Sequence, residues 1–342
     1  VFSQSYIVPS LRFKNYPHVS TRACGHKPHR QDTMGKHEPA EIIDAPKKKR
    51  VNPNAIIALI LILVGLGVLL YPVVATQWNN HTQSRAAEEY AKLEKQAPPE
   101  VLHTAWDEAQ SYNAQLGQIS VEDAWTTTDD EDSPKYQRYR QYLSVLSETD
   151  AMGRIVIPSI DSDLPIYHGT SEKALSRGAG HLYGTDLPVG GVGGGEGRHA
   201  ALSAHTGLQN ATLWDNLTKV KKGDAFYIAA GGEKLKYEVH DIRVVEPADT
   251  SSLHREPGQD LVTLITCTPY GVNTHRLLVT GHRVPMDPED EAAFNSSGIH
   301  WQWWMWAILA ATAIIVLLLI YWWRKYVSNA KDTALDDDPQ DS

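Results

Sequence analysis

The chain has 342 residues, 42 % of them hydrophobic and 21 % charged, a balance that supports a folded core and excludes wholesale disorder. Its 32 Lys and Arg against 41 Asp and Glu leave a net charge of −9, which argues against a nucleic-acid partner. Two cysteines are too few for a disulfide-stapled scaffold or a cysteine-rich zinc module.

Residues 1–54 are basic, with 10 Lys or Arg and 4 Asp or Glu. Met34 is an alternative start that would make residues 1–33 a misassigned segment. An uncharged apolar run follows over residues 55–71, and with Pro72–Ala75 it reaches about 20 residues, enough to cross a bilayer core. It is longer than a signal-peptide core and has no A-x-A site close behind it, which favours a retained anchor at 55–75. A second uncharged run covers residues 305–323. Trp301, Trp303, Trp304, Trp306, Trp322 and Trp323 lie in or beside it, residues suited to the headgroup level, and a transmembrane helix is predicted over 301–323. Lys47–Arg50 precede the first span, and Arg324 and Lys325 follow the second. The positive-inside rule therefore predicts a two-span protein of the cell membrane, with both termini cytoplasmic and residues 76–300 outside. The tail, 324–342, is acidic.

Between the spans, residues 76–150 read as a helical and lid region. Residues 83–116 form two helices broken at Pro98-Pro99, residues 118–132 form an acidic Thr-rich loop or lid, and residues 136–146 form a short helix. Short apolar runs then alternate with turn residues at 153–157, 164–166, 200–204, 225–229, 235–239, 242–245, 261–267 and 276–279. Eight short strands without long helices between them predict a closed or nearly closed β-barrel over 151–285, with a linker at 286–300. The glycine run 190–197 does not fit G-x-G-x-x-G and reads as a flexible surface loop.

In this topology Cys24 lies inside and Cys267 outside, so they cannot pair. A lone outer thiol is either a functional group or a small buried hydrophobe. Cys267 ends the β-prone run LVTLITC, and Tyr270, Gly271 and Asn273 supply turn chemistry before a strand resumes at Arg276. In an antiparallel hairpin Cys267 and Arg276 are opposed, placing a thiol and a guanidinium on one face. A cysteine nucleophile needs a proton partner. Of eight histidines in this region His205 is the leading candidate, because it follows a small-residue strand and precedes the Thr206-Gly207 turn. His275 should point away from Arg276, and His168, His181, His199 and His240 read as ordinary polar groups. No His, Cys or carboxylate cluster has metal-ligand spacing, so neither metal nor cofactor is expected.

The stretch TLITCTPYGVNTHRLLVTGHR (residues 263–283) resembles the active-site hairpin of sortases, most closely the class C, pilin-polymerising sortases of Gram-positive bacteria. IVIPSIDSDLPIYHGTSE (155–172), GAGHLYGTDLPVGG (178–191) and HAALSAHTGLQNATLWDNL (199–217) extend the resemblance over residues 112–284, and the second membrane span is also typical of that class. The resemblance implies an eight-stranded sortase-type β-barrel with N-terminal helices and a lid, flanked by two transmembrane helices. It implies Cys267 as nucleophile, His205 as the histidine and Arg276 as the arginine. Class C members carry an Asp-Pro-aromatic lid; the nearest match is Asp123-Ala124-Trp125, with Ala124 where Pro is expected, so Asp123 and Trp125 are the lid residues. The implied activity is a cysteine transpeptidase that cleaves an LPXTG-like sorting signal through a thioacyl intermediate and joins pilins to a Lys amine. The alternatives are a housekeeping sortase that attaches surface proteins to a cell-wall precursor, and a non-catalytic module that grips sorting peptides.

Overall fold

The structure, a computed structural model, describes residues 53–116, 134–295 and 301–332. Helix α1 (Pro53–Gln96) has 44 residues; at 1.5 Å per residue it is roughly 66 Å long, about twice the hydrocarbon thickness of a bilayer. The apolar run therefore continues into the following polar helix without a break, and Pro72 is carried inside the helix. Ile57, Leu61, Val64, Val68 and Tyr71 all stand more than half exposed, as expected of a surface that meets lipid rather than protein. Farther along, Gln83, Ala87 and Tyr90 are buried, a helical spacing that turns one face to the barrel. Pro98 and Pro99 end this helix, and Pro99 opens α2 (Pro99–Gln115), where a missing N–H costs nothing. Helix α3 (Pro134–Ser144) sends Tyr142 into the core.

The strands are β1 (Gly153–Ile157), β2 (Ser162–His168), β3 (Ala179–His181), β4 (Arg198–Ser203), β5 (Ala225–Ala230), β6 (Glu233–Val245), β7 (Asp260–Thr268) and β8 (His275–Val284), with a one-turn helix α4 (Glu172–Leu175) between β2 and β3. They close into a barrel in the order β1-β2-β3-β4-β7-β8-β6-β5. The expected count of eight is met, through two offsetting differences. Residues 235–239 and 242–245 are one strand, with its register shifted between Val239 and Asp241, so the break in apolar alternation is a bulge and not a turn. Strand β3 escaped the pattern because its three residues, Ala-Gly-His, hold no apolar run.

Alternate residues of the strands fill the interior, among them Phe226, Ile228, Val262, Leu264, Leu277 and Val279, all buried. Phe226 stacks on Tyr237 with ring centroids 5.4 Å apart, and Gly281 is needed opposite them because a Cβ there would come within 2.5 Å of the Phe226 ring.

The glycine run is not a free loop, contrary to its composition. Gln110 donates to the Val189 and Gly190 carbonyls at 3.0 and 3.1 Å, and Gly191 N–H donates to Asp260 at 2.8 Å. Gly197, at φ +84°, would put a Cβ 1.9 Å from the Glu256 carbonyl oxygen. These glycines serve close backbone approach rather than flexibility.

The segment after the barrel folds back onto it. In the 3-10 stretch Pro288–Asn295, Asp290 accepts from Tyr227 Oη at 2.7 Å and from Lys236 Nζ at 2.9 Å, and Phe294 lies under the Arg154 guanidinium. Helix α5 (Trp303–Asp332) then runs out beside α1, joined to it by Gln77 Nε2 donating to Met305 Sδ at 3.0 Å. The apolar stretches of α1 and α5 are both long enough to cross a membrane.

A buried polar knot joins α3 to the barrel. His181 is fully buried; its Nε2–H donates to the Asp186 carbonyl at 2.7 Å, and Tyr142 Oη donates to Nδ1 at 3.0 Å. Burial pushes the His181 pKa down to about 4 and also lowers that of His168, whose Nε2–H donates to the Val145 carbonyl. An unfolded histidine titrates near 6.5, so between pH 6.5 and 4 the unfolded chain binds the extra proton and folding loses free energy. The contribution of His181 is fully present above pH 6.5 and falls by roughly 3 kcal/mol as pH drops to 4. Denaturant midpoints of the detergent-solubilised chain at pH 7 and pH 4.5 should show this loss, and His181→Gln should flatten it. An equally steep decline in that variant would place the acid sensitivity elsewhere.

Candidate active site

Three neighbouring strands end at one rim of the barrel. Strands β7 and β8 pair antiparallel with Cys267 opposite Arg276 and Thr268 opposite His275. The opposition of thiol and guanidinium expected of the hairpin is therefore present, with Cβ atoms on one face about 5 Å apart for such pairs. The closing loop is tighter than the eight residues between Cys267 and Arg276, because Thr268 and His275 still pair. Val272 and Asn273 both donate to the Pro269 carbonyl at 3.0 and 2.9 Å. Gly271 and Asn273 take left-handed φ values of 73° and 60°, a conformation these residue types tolerate.

Strand β4 lies parallel to β7 on its other side, with Ser203 beside Ile265 as the last pair. Ala204 N–H donates to the Ile265 carbonyl at 3.1 Å and Thr266 Oγ1 donates to the Ala204 carbonyl at 2.8 Å, carrying the alignment one residue beyond the strand. His205 stands two positions beyond that last pair on its chain, as Cys267 does on the other. Cys267, His205 and Arg276 are each half-buried, sheltered yet open to solvent.

His205 Nε2 lies 3.2 Å from Glu172 Oε2. Glu172 opens α4, whose N-terminus is capped by Ser171 Oγ accepting from Ala174 N–H. Sequence reasoning missed this carboxylate: it sits 33 positions away from His205, and nothing local marks it. The backbone of His205 is held from the other side, its carbonyl accepting from Trp214 N–H at 3.1 Å, and Trp214 is fully buried. Asp215 accepts at Oδ1 from Gly207 N–H at 2.7 Å and from Thr206 Oγ1 at 3.1 Å, closing the turn after His205. Burial pushes the Asp215 carboxyl up, and these two hydrogen bonds draw it part of the way back.

Arg276 Nη1 donates to the Asn273 and His275 carbonyls, both at 3.2 Å, so the guanidinium rests on the hairpin loop. Thr274 Oγ1 and His275 Nδ1 lie 2.9 Å apart, which occupies the nearest rival imidazole. Other histidines are committed to structure: His199 Nδ1–H donates to the His254 carbonyl at 2.8 Å and its Nε2 accepts from Thr263 Oγ1 at 2.7 Å. Beside the rim lies a cleft of about 370 Å³ lined by Leu208, Gln209, Asp215, Tyr270, Thr76 and Trp304. Among the described residues no three His, Cys, Asp or Glu side chains group as a metal site. Asp123 and Trp125 lie outside the described residues. Chemically, the rim offers a thiol, a residue type able to act as a nucleophile, and a guanidinium, a group able to donate to an oxyanion, with an imidazole on the loop after β4.

Comparison with known proteins gives a consistent result. A family model described as the Sortase domain matches residues 155–284. The crystal structure of sortase C-1 from Actinomyces oris is 52 % identical, with a TM-score of 0.50, over 55 % of this chain and 99 % of that one. Sortase C of Streptococcus pneumoniae is 38 % identical, with a TM-score of 0.51, over 59 % of this chain and 97 % of that one. Sortase A of Bacillus anthracis is 30 % identical over 41 % of this chain and 62 % of its own length. The chain thus spans less than two thirds of that curated relative.

Proposed function

The chain belongs to the sortase family, and we propose that it is a membrane-anchored cysteine transpeptidase that polymerises pilins. What supports this reading is the pairing of Cys267 with Arg276 across β7 and β8, with β4, the strand that leads into His205, ending beside β7. In this reading the Cys267 thiolate attacks the Thr–Gly carbonyl of an LPXTG-like sorting signal, and Arg276 swings from the loop carbonyls to donate to the oxyanion. His205 gives a proton to the departing amine, leaving a thioacyl enzyme, and later takes one from the Lys amine of the next pilin that resolves it as an isopeptide bond. Glu172 orients the imidazole by accepting at Nε2–H.

Support for the pilin-joining subclass comes from the 52 % identity to an Actinomyces oris sortase C-1 and from the likeness to the pneumococcal sortase C, whose structure is described as informing pilin substrate specificity. The two membrane helices fit an enzyme with cytoplasmic termini and its barrel outside, where pilins emerge. Asp123 and Trp125 are the proposed lid. Asp123→Ala combined with Trp125→Ala should raise the rate of Cys267 alkylation by iodoacetamide several-fold, and an unchanged rate would place the lid elsewhere.

Mass spectrometry of the solubilised chain after incubation with a panel of sorting-signal peptides tests the reading. An acyl adduct on Cys267 is expected, and purified pilin should then be converted to a ladder of covalent oligomers. Transfer to a cell-wall amine without a ladder would make the enzyme a housekeeping sortase. Absence of any adduct would favour a peptide-gripping module.

A further inference from the structure

We infer that the membrane-anchoring helix α1 is a working part of the active site, and that Asn80 on it is a positioning residue for His205. Strand β4 stops at Ser203, so beyond Ala204 the placement of His205 depends on the loop that follows it. That loop is closed on its inner side by Trp214 N–H and the Asp215 carboxylate, as described above. Its outer side is clasped by one face of α1.

Thr76, Asn79 and Asn80 are spaced i, i+3 and i+4, so they share a helix face. Asn80 makes a two-point clasp: its Nδ2 donates to Thr212 Oγ1 at 2.9 Å, and its Oδ1 accepts from Thr212 N–H at 3.0 Å. Asn79 Nδ2 donates to the Asn210 carbonyl at 2.7 Å, and Thr76 Oγ1 donates to the Gln209 carbonyl at 3.4 Å. The path from the clasp to the imidazole is short. The Thr212 carbonyl accepts from Asp215 N–H at 2.9 Å, and the Asp215 side chain holds Gly207 and Thr206, the two residues after His205.

Three of these clasping bonds go to backbone groups of a loop without helix or strand pairing of its own over residues 204–216. A loop so placed takes its conformation from its partners. The helix that supplies them is the same one whose first half is apolar enough to cross a membrane. It is also linked to α5, through Gln77 and Met305. The anchor thus does more than tether the barrel: it fixes the turn that carries the proton-transfer group.

The test uses the full-length chain in detergent micelles, with Asn80→Leu to remove both points of the clasp and Thr212→Val to remove the one at the hydroxyl. Hydrogen exchange in peptides covering residues 206–216 should accelerate about tenfold in either variant. Release of the C-terminal fragment from a soluble LPXTG peptide should show kcat lowered by about three- to tenfold with KM within about twofold, the split expected of residues that act through the placement of His205. Thr212→Ser keeps the hydroxyl and should restore both readouts. Unchanged exchange in both variants overturns the inference, as does faster exchange with an unchanged kcat. The kinetic arm rests on the transpeptidase reading. If the parent chain cleaves no sorting peptide, that reading fails on its own, while the exchange arm still decides whether α1 orders the His205 loop.

Discussion

Cys267→Ala is expected to abolish thioacyl formation and lower peptide cleavage by at least about 10⁴-fold, while leaving the denaturant midpoint within about 0.5 kcal/mol of the parent. The kinetic loss is large because the proposed covalent bond needs a thiol, and Cys267 is the one cysteine among the described residues. The small stability change follows from position: Cys267 is half-buried at the barrel rim, outside the packed interior. His205→Ala should cost nearly as much, and the double variant little more than either, because residues that act as one unit do not add. Arg276→Ala should lose roughly 10²- to 10³-fold in kcat. Arg276→Lys should recover only part of that, since an ammonium lacks the planar fork of donors. Residual acylation of the Cys267→Ala chain, read by mass spectrometry, would mean that another group attacks the substrate and that the rim has been misread.

Asp186→Ala is expected to be the most damaging change to stability, at about 3–5 kcal/mol. The carboxylate is 1 % exposed, and Arg255 grips it with Nε at 2.7 Å and Nη2 at 2.5 Å. His199 N–H donates to it at 2.9 Å, and Arg198 Nε stands 3.7 Å away. Removing the acid leaves the buried Arg198 guanidinium without a carboxylate and Arg255 with only the exposed Glu196 at 3.9 Å, and an unpaired buried charge costs far more than the pair contributes. The damage should spread, since Arg255 also donates to the Asn113 carbonyl and Asn113 exchanges two hydrogen bonds with Leu187. Urea midpoints by tryptophan fluorescence would read the effect. Asp186→Asn should lose less, because the amide oxygen still accepts. A loss below about 1 kcal/mol for the alanine variant would show that solvent reaches the cluster and screens it.

Much of the architecture was legible because it is local. Two uncharged runs announce helices long and apolar enough to cross a membrane, and Pro98-Pro99 marks a helix break by removing N–H donors. The strong β-formers of β7 and β8 around a Gly- and Asn-containing loop specify a hairpin, and with it the opposition of Cys267 and Arg276. The failures have the same logic in reverse. Strand β3 is too short and too polar to leave a pattern, and the bulge in β6 resembled a turn. The glycine loop looked mobile because composition does not record that Gln110 and Asp260 come from elsewhere to hold it. Glu172 and Asn80 were not foreseen, since each meets its partner only after the barrel and α1 are assembled.

By itself the amino-acid order determined two helices long and apolar enough to cross a membrane, the strand-rich middle and the pairing of thiol with guanidinium, the last because a short loop leaves a hairpin few registers. Only the tertiary structure brought the strand that leads into His205 beside the strand that carries Cys267. Ala204 and Thr266, 62 positions apart, align through the parallel contact of β4 with β7. No turn sets that register: it is chosen by which faces of the two strands must be buried in the closed barrel.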